Sequence, residues 1–336
     1  MRKLLILLIL TSVALAEFDK VATTAAPFLK LGVGSRATAL GGAFVARADD
    51  GFATYWNPAG MLAAREPTAA FSLNDWALDI QHQYASIIIP TDIHGRLGLS
   101  VSALTMGEQE VTTVDEPNGT GLYYNAMDLA LGLSYARQVS DRFRLGMTVK
   151  YIQLSAYNET AQTMALDMGT LLRTDFYGLT IGMSLSNFGG ELRYEGRDLI
   201  TRAGLDQGVD GSYDADATLT TESWPLPLLI RIGVAIDLMG PENAVIPNQF
   251  SRLTLTLDGD HPNDGPEHVN LGAEFALKEM IYLRGGYRHN YDEERFTMGV
   301  GLRLDLGLLG ETQLDYALKP LGPFGTTSIL SIEFRR

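Results

Sequence analysis

The chain predicts an all-β fold, a fourteen-stranded antiparallel transmembrane β-barrel with a short, partly helical N-terminal plug. Three observations point there: an export signal at the start, two-faced segments of period two from residue 68 to the end, and connections that alternate between tight and long.

The export signal comes first in the chain. Arg2 and Lys3 precede an uncharged stretch from Leu4 that closes on Ala14-Leu15-Ala16, so cleavage is expected after Ala16. The stretch is short of the ~18 apolar residues that a membrane-spanning helix needs. The remaining chain, 17–336, is long enough for two ordinary domains or one large barrel. Without Arg2 and Lys3 it carries 24 basic and 40 acidic residues, a net charge of −16 that makes nucleic acid and anionic surfaces poor partners. The absence of cysteine excludes disulfides, Cys-ligated metals and a lipid anchor on an N-terminal Cys.

Alternation then defines fourteen segments, at 68–76, 79–89, 95–105, 126–138, 142–155, 161–173, 177–188, 227–239, 251–259, 267–277, 280–290, 295–306, 311–319 and 326–334. In one, Tyr177, Leu179, Ile181, Met183 and Leu185 alternate with Gly178, Thr180, Gly182 and Ser184. In another, Phe143, Leu145, Met147, Val149 and Tyr151 alternate with Arg144, Gly146, Thr148 and Lys150. Most segments are near the ~9–11 residues that a tilted strand needs to cross a bilayer, and their number is even, as in single-chain bacterial barrels.

The connections 139–141, 174–176, 278–279 and 307–310 are tight, whereas 106–125 and 189–226 are long; 240–250 is of medium length on the side expected to be periplasmic. A soluble β-sandwich also shows short alternating strands. The charges Arg144, Lys150, Asp167, Arg173, Arg231, Asp237, Arg303 and Asp305, however, need a wet second face on strand after strand, which a barrel lumen supplies. Aromatic residues near strand ends (Trp76, Tyr135, Tyr177, Phe188, Phe250, Tyr287, Tyr316, Phe334) fit membrane girdles.

Fourteen strands spaced ~4.8 Å and tilted ~40° enclose a lumen of roughly 14 Å radius, too wide for wall side chains to fill. Residues 17–67 do not read as strand and are expected to form the plug, with 68–336 as the barrel. Ser35 is a candidate N-cap for a helix with Ala37, Leu40 and Phe44 on one face, Asp49 or Asp50 a candidate cap for a second, and Asn57-Pro58 a stop. Small residues in this segment suit close packing against a glycine-rich wall.

Several runs here resemble a known group: Phe28 to Ala37, with Gly32, Gly34 and Arg36; Gly41-Gly42-Ala43-Phe44-Val45; Ala48-Asp49-Asp50; and Trp56-Asn57-Pro58-Ala59-Gly60. They resemble the N-terminal signature of the PorV/PorQ family, relatives of the FadL-type outer-membrane transporters. The likeness continues through Leu133-Ser134-Tyr135-Ala136, Val149-Lys150-Tyr151, Leu185 to Gly189, Leu271-Gly272-Ala273-Glu274 and Leu283 to Tyr287. It implies a fourteen-strand barrel with an N-terminal hatch, placed in the outer membrane. PorV-type members serve type IX secretion by binding exported cargo at the cell surface, and FadL-type members pass hydrophobic molecules. Barrels of this kind usually end on an aromatic residue, whereas here Arg335-Arg336 follow Phe334.

Other chemistry is weakly signalled. Gly32-x-Gly34-x-x-Ala37 lacks the βαβ context of a dinucleotide site. The five histidines show no metal-ligand spacing, and His268, expected in the lumen near the outer rim with Asp264 and Glu267, has no serine partner implied by spacing. The acidic groups of 106–125, 189–226 and Asp258, Asp260, Asp264 read first as solvated surface and second as divalent-cation loops. No enzyme activity, cofactor or metal is expected. The expected partners are outer-membrane lipid and exported protein cargo or other secretion subunits. Tyr194, Leu199, Ile200, Tyr213 and Trp224 of the longest loop are the candidate protein-binding residues. A passive conduit for small hydrophobic molecules is the competing function.

Overall fold

Alternating side chains place apolar groups on one face of an extended chain and polar groups on the other. A sheet whose apolar face meets hydrocarbon must then close on itself, because an open edge would leave backbone N–H and C=O groups unpaired in lipid. The computed structural model, which describes residues 21, 23–76, 78–91, 94–204, 214–307 and 310–336, shows this closure. The expected signal segment lies outside the described residues.

The wall consists of β1 (Thr68–Asp75), β2 (Gln81–Pro90), β3 (Gly95–Thr105), β4 (Ala126–Gln138), β5 (Phe143–Ala156), β6 (Glu159–Arg173) and β7 (Thr180–Gly189). It continues with β8 (Leu229–Gly240), β9 (Ser251–Pro262), β10 (His268–Leu277), β11 (Ile281–His289), β12 (Phe296–Asp305), β13 (Glu311–Pro320) and β14 (Thr326–Arg335). Each strand pairs antiparallel with its chain neighbours, and β1 closes the ring on β14 from Thr68↔Arg335 to Asp75↔Ser328. The barrel is therefore a closed fourteen-stranded antiparallel sheet. The only helices described are short, and none is long and apolar enough to cross a membrane.

The phase read from the sequence holds along the wall. In β4, Leu131, Leu133 and Tyr135 are exposed on the outside, while Ser134 and Ala136 are buried inside. In β8, Ile232 faces out and Arg231 is buried in the lumen. Two strand details differ from expectation. β7 begins at Thr180 rather than 177, because Tyr177 and Gly178 take positive φ in a turn. Trp76 is not a girdle residue. β1 buries Thr68, Ala70, Ser72 and Asn74, so the next even position also points inward, and Trp76 lines the lumen.

With the tight turns taken as periplasmic, β14 ends and β1 begins on the inner side. The outer connections are less uniform than expected: 106–125 and 190–228 are long, but Tyr157-Asn158 is a two-residue turn. The medium connection 241–250 folds back, and its Ile246–Pro247 pairs parallel with Met239–Gly240 beside a bulge at Asp237/Met239.

The N-terminal segment occupies the lumen. It comprises a 3-10 turn (Pro27–Lys30), α1 (Ser35–Ala39), α2 (Ala53–Trp56) and a 3-10 turn (Pro58–Ala63). Asn57 is extended, as the following proline requires, and its side chain accepts from the Ala59 N–H to cap the last turn. Ser35 does not cap α1. Gly34 holds the cap position, and the Ser35 hydroxyl instead donates to the Ile329 carbonyl of the wall at 2.8 Å. α1 stops at Ala39, with Gly41 and Gly42 left-handed beyond it, so Leu40 and Phe44 reach the core from turns rather than from one helical face.

Candidate functional site

The site is the hatch with the cavities above and below it. Ala39, Ala43, Phe44, Val45, Ala48, Ala53, Ala59 and Met61 are all at 0% exposure, so the middle of the lumen is solid protein. Glycines of the wall make this possible. A side-chain carbon at Gly182 would fall 2.6 Å from the Val45 carbonyl oxygen, and one at Gly98 would fall 2.6 Å from Met61 Sδ. At Gly146 and Gly169 it would strike Pro58-Ala59 and Asn57. The expected close packing of small residues on a glycine-rich wall is present.

Polar contacts pin the hatch around the circumference. Arg36 sends Nε and Nη2 to the two oxygens of Glu274 in β10, at 2.8 and 3.1 Å, and Nη1 to Asp49 at 2.5 Å and Asp50 at 3.4 Å. Glu274 is also held by Arg252 and Arg284, at 3.0 and 2.7 Å. Burial alone would cost these charges heavily, and mutual pairing offsets that cost, with Arg284 Nη2 left without a partner. On the neighbouring strand Asp258 of β9 accepts the Phe44 and Val45 N–H groups at 2.7 and 2.8 Å. Glu333 of β14 accepts from Gly51, Thr297 donates to the Ala39 carbonyl, and Asn57 donates to Val45 and Thr170 carbonyls.

The electrostatics of the two hatch acids diverge. Burial disfavours ionisation of Asp49, but Arg36 and then Arg47 outweigh it and hold the carboxyl below its usual range. For Asp50, burial and then the nearby Glu333 push the pKa up to about 7, against the pull of Arg36.

The other expected plug residues serve packing. Gly32 lies against the Trp56 ring, Gly34 against Phe52, Gly41 against the backbone of Leu271 and Tyr287, and Gly60 against the Ala48 carbonyl. Pro58 and Ala59 sit on β5 at Gly146. The wall partners Glu274, Asp258 and Glu333 were not recognisable as hatch contacts in the sequence. The only cue was their inward phase. The reading of Asp258, Asp260 and Asp264 as solvated surface is overturned, since all three are buried in the lumen. Their carboxylates go to different partners: Phe44 and Val45, Asn270, and Lys30 with Thr24.

Above the hatch an outward cavity of about 430 Å³ is lined by Trp56, Trp76, Arg231, Asp260, Asn270 and Tyr291 among others. Below it lies an inward pocket of about 320 Å³ between Asp49, Asp50, Arg65, Glu66, Glu311 and Arg335. No residue lines both. His268 does face the outer cavity, stacked on Tyr291 at 3.9 Å, while Glu267 turns away to His261.

The long outer loop, 190–228, stands on one side of the rim. Leu192–Trp224 and Ile200–Gly204 with Asp214–Thr218 give it short antiparallel pairs, and Glu195–Gly196 extends the sheet on β6. Tyr194, Ile200 and Trp224 are exposed and Leu199 is half-buried; Tyr213 lies outside the described residues.

Solved structures share this architecture. A FadL homologue of Pseudomonas aeruginosa aligns with a TM-score of 0.55 at 12% identity, covering 90% of this chain and 98% of its own. The toluene transporter TbuX of Ralstonia pickettii gives 0.56 at 12% identity over 90% and 98%. The toluene transporter TodX of Pseudomonas putida gives 0.55 at 11% identity over 90% and 97%. No curated protein sequence matches the chain. A family model described as type IX secretion system protein PorV matches residues 15–197, more than half of the length. Fold and family are those of a secretion or transport barrel of the outer membrane, and the chain belongs to the PorV family of type IX secretion system proteins.

Proposed function

We propose that the protein binds exported protein cargo at the cell surface through the outer rim, with loop 190–228 as the main contact. The observation that carries this reading is the asymmetry of the barrel. Its lumen is blocked by a hatch fixed to β6, β9, β10, β12 and β14, while its outer rim presents exposed Tyr194, Ile200, Leu219 and Trp224 among acidic groups. Apolar anchors in a polar surround are the make-up of a protein-binding surface. The division of the chain into a signal at 1–16, a hatch at 17–67 and a barrel at 68–336 belongs to the same proposal, as does export with cleavage after Ala16.

The likeness to toluene transporters supports a second reading, a conduit for small hydrophobic molecules. Against it stands the lining of the outer cavity, which includes Lys30, Arg231, Arg288 and Lys319 with Asp260, Asp264 and Glu294. A greasy solute would have to desolvate them. Shortening 195–222 tests the choice. Leu192–Trp224 pairing is spared, so the barrel should still reach the outer membrane and migrate as a folded band before boiling in SDS, while surface display of exported proteins is lost. Normal display with reduced uptake of hydrophobic compounds would refute the cargo reading.

A further inference from the structure

Loop 190–228 is joined at its root to the front of the hatch. Its two ends pair as Glu191↔Pro225 and Leu192↔Trp224. The Ala25 N–H of the hatch donates to the Pro225 carbonyl at 2.9 Å. Phe28 and Leu29 of the hatch share one apolar cluster with Leu192 and Leu226 of the loop root and with Ile152 and Leu154 of β5, and none of the six is more than 6% exposed. This cluster is separate from the one in which Phe44, Phe52 and Trp56 fill the middle of the lumen.

Polar contacts close the same junction. Thr24 and Lys30 both donate to Asp264 of the connection between β9 and β10, at 2.5 and 2.6 Å. The adjacent Asn263 donates through Nδ2 to the Leu226 carbonyl at 3.2 Å and through its backbone N–H to the Leu228 carbonyl at 3.0 Å. Asn187, near the end of β7, donates to the Pro227 carbonyl at 2.9 Å. Ala26 takes a φ of 51° with its side chain 1% exposed. Alanine rarely visits that left-handed region, and such a conformation persists only where the surrounding structure over-determines it.

Ordering a long loop has an entropic cost for every residue fixed, and a partner that binds a loose loop must meet that cost at the moment of binding. A root already fixed leaves less to order. We infer that residues 25–30 are the seat of loop 190–228, so that the segment that closes the lumen also positions the surface that meets cargo, a role that rests on the cargo contact proposed above. Phe28 and the Ala25 N–H are the positioning groups on the hatch side, and Leu226 and the Pro225 carbonyl receive them on the loop side. A hatch drawn out of the lumen takes the support of the loop with it. By linkage, a partner that favours the seated loop also favours the seated hatch.

Hydrogen exchange of the full chain folded in detergent, read peptide by peptide by mass spectrometry, tests the seat without any cargo. Phe28→Ala and Leu226→Ala cut into the junction from its two sides, and Phe52→Ala makes the same truncation in the other hatch cluster as a control. In protein that still migrates as a folded band before boiling, the first two should speed exchange in 191–204 and 214–226 roughly tenfold or more. Leu226→Ala should also speed exchange in 24–31, and Phe52→Ala should leave the loop peptides unchanged. Loop exchange unaltered by both junction variants, or loosened equally by Phe52→Ala, overturns the seat. Surface display of exported proteins then tests the positioning role, and Phe28→Ala should reduce it. If Phe28→Ala loosens the loop with display intact while shortening 195–222 abolishes display, the positioning role fails and the cargo contact stands. If neither change affects display, the cargo contact fails and the positioning role with it.

Discussion

Gly285 and Gly286 are neighbours in β11 whose side-chain positions fall on opposite faces of the wall. A carbon added at Gly285 meets nothing within 4 Å. One added at Gly286 falls on Gly41 N of the hatch, with Leu40 C and Thr297 Oγ1 each 2.5 Å away. Two of these three are hatch backbone, and Thr297 donates to the Ala39 carbonyl, so nothing there rotates aside cheaply. Overpacking of this kind costs ~1–3 kcal/mol. Removing a strand glycine gives back ~0.5–1 kcal/mol in chain entropy, which at Gly285 is the whole effect. Gly285→Ala should therefore be neutral to stabilising. Gly286→Ala should be destabilising by ~1–2 kcal/mol, and Gly286→Val by more. Urea unfolding of detergent-folded protein, followed by loss of the folded band in SDS, measures both. Equal midpoints for the two alanine variants, or a lower one for Gly285→Ala, would show that the hatch does not press on β11 as described.

Arg36→Met should destabilise by ~3–5 kcal/mol, because it takes the cation from buried Asp50 and Glu274 and from half-buried Asp49; limited proteolysis should then cut within 32–63, and cleavage no faster than in the parent would refute the clamp. Asp50 binds its proton more tightly in the folded chain, with a pKa of about 7 against ~3.9 unfolded, so its contribution is full below pH ~4 and is lost as pH rises through 7. Asp50→Asn should flatten this part of the stability profile between pH 4 and 8, and an unchanged slope would exclude Asp50 as its source. Lysine at Ile232, which faces lipid, should cost ~2–4 kcal/mol near the midplane, whereas lysine at Thr180, on the inward phase of β7, should be tolerated. Equal tolerance at the two positions would show the strand phase to be wrong.

The sequence by itself determined the wall. Each strand is a local object whose period of two is imposed by the extended backbone, so Leu131, Leu133 and Tyr135 declare their lipid face without knowledge of any partner, and β3 and β4 fall at the expected bounds of 95–105 and 126–138. The stop at Asn57-Pro58 was equally legible, because proline restricts the residue before it wherever it occurs. Only the tertiary structure decided what the hatch holds on to. Arg36 and Glu274 are 238 positions apart, and Phe44 and Asp258 are 214 apart. No local pattern marks a carboxylate that will meet a backbone N–H from another part of the chain. Ser35 misled for the same reason. A serine ahead of a helix has a strong local use as a cap, but Ile329 and Ser331 on β14 compete for its hydroxyl, and that wall exists only once the barrel has closed. The acids of β9 read as solvated because charge ordinarily seeks water. Closure turned their inward phase into burial, since the lumen they face is filled by the hatch rather than by solvent.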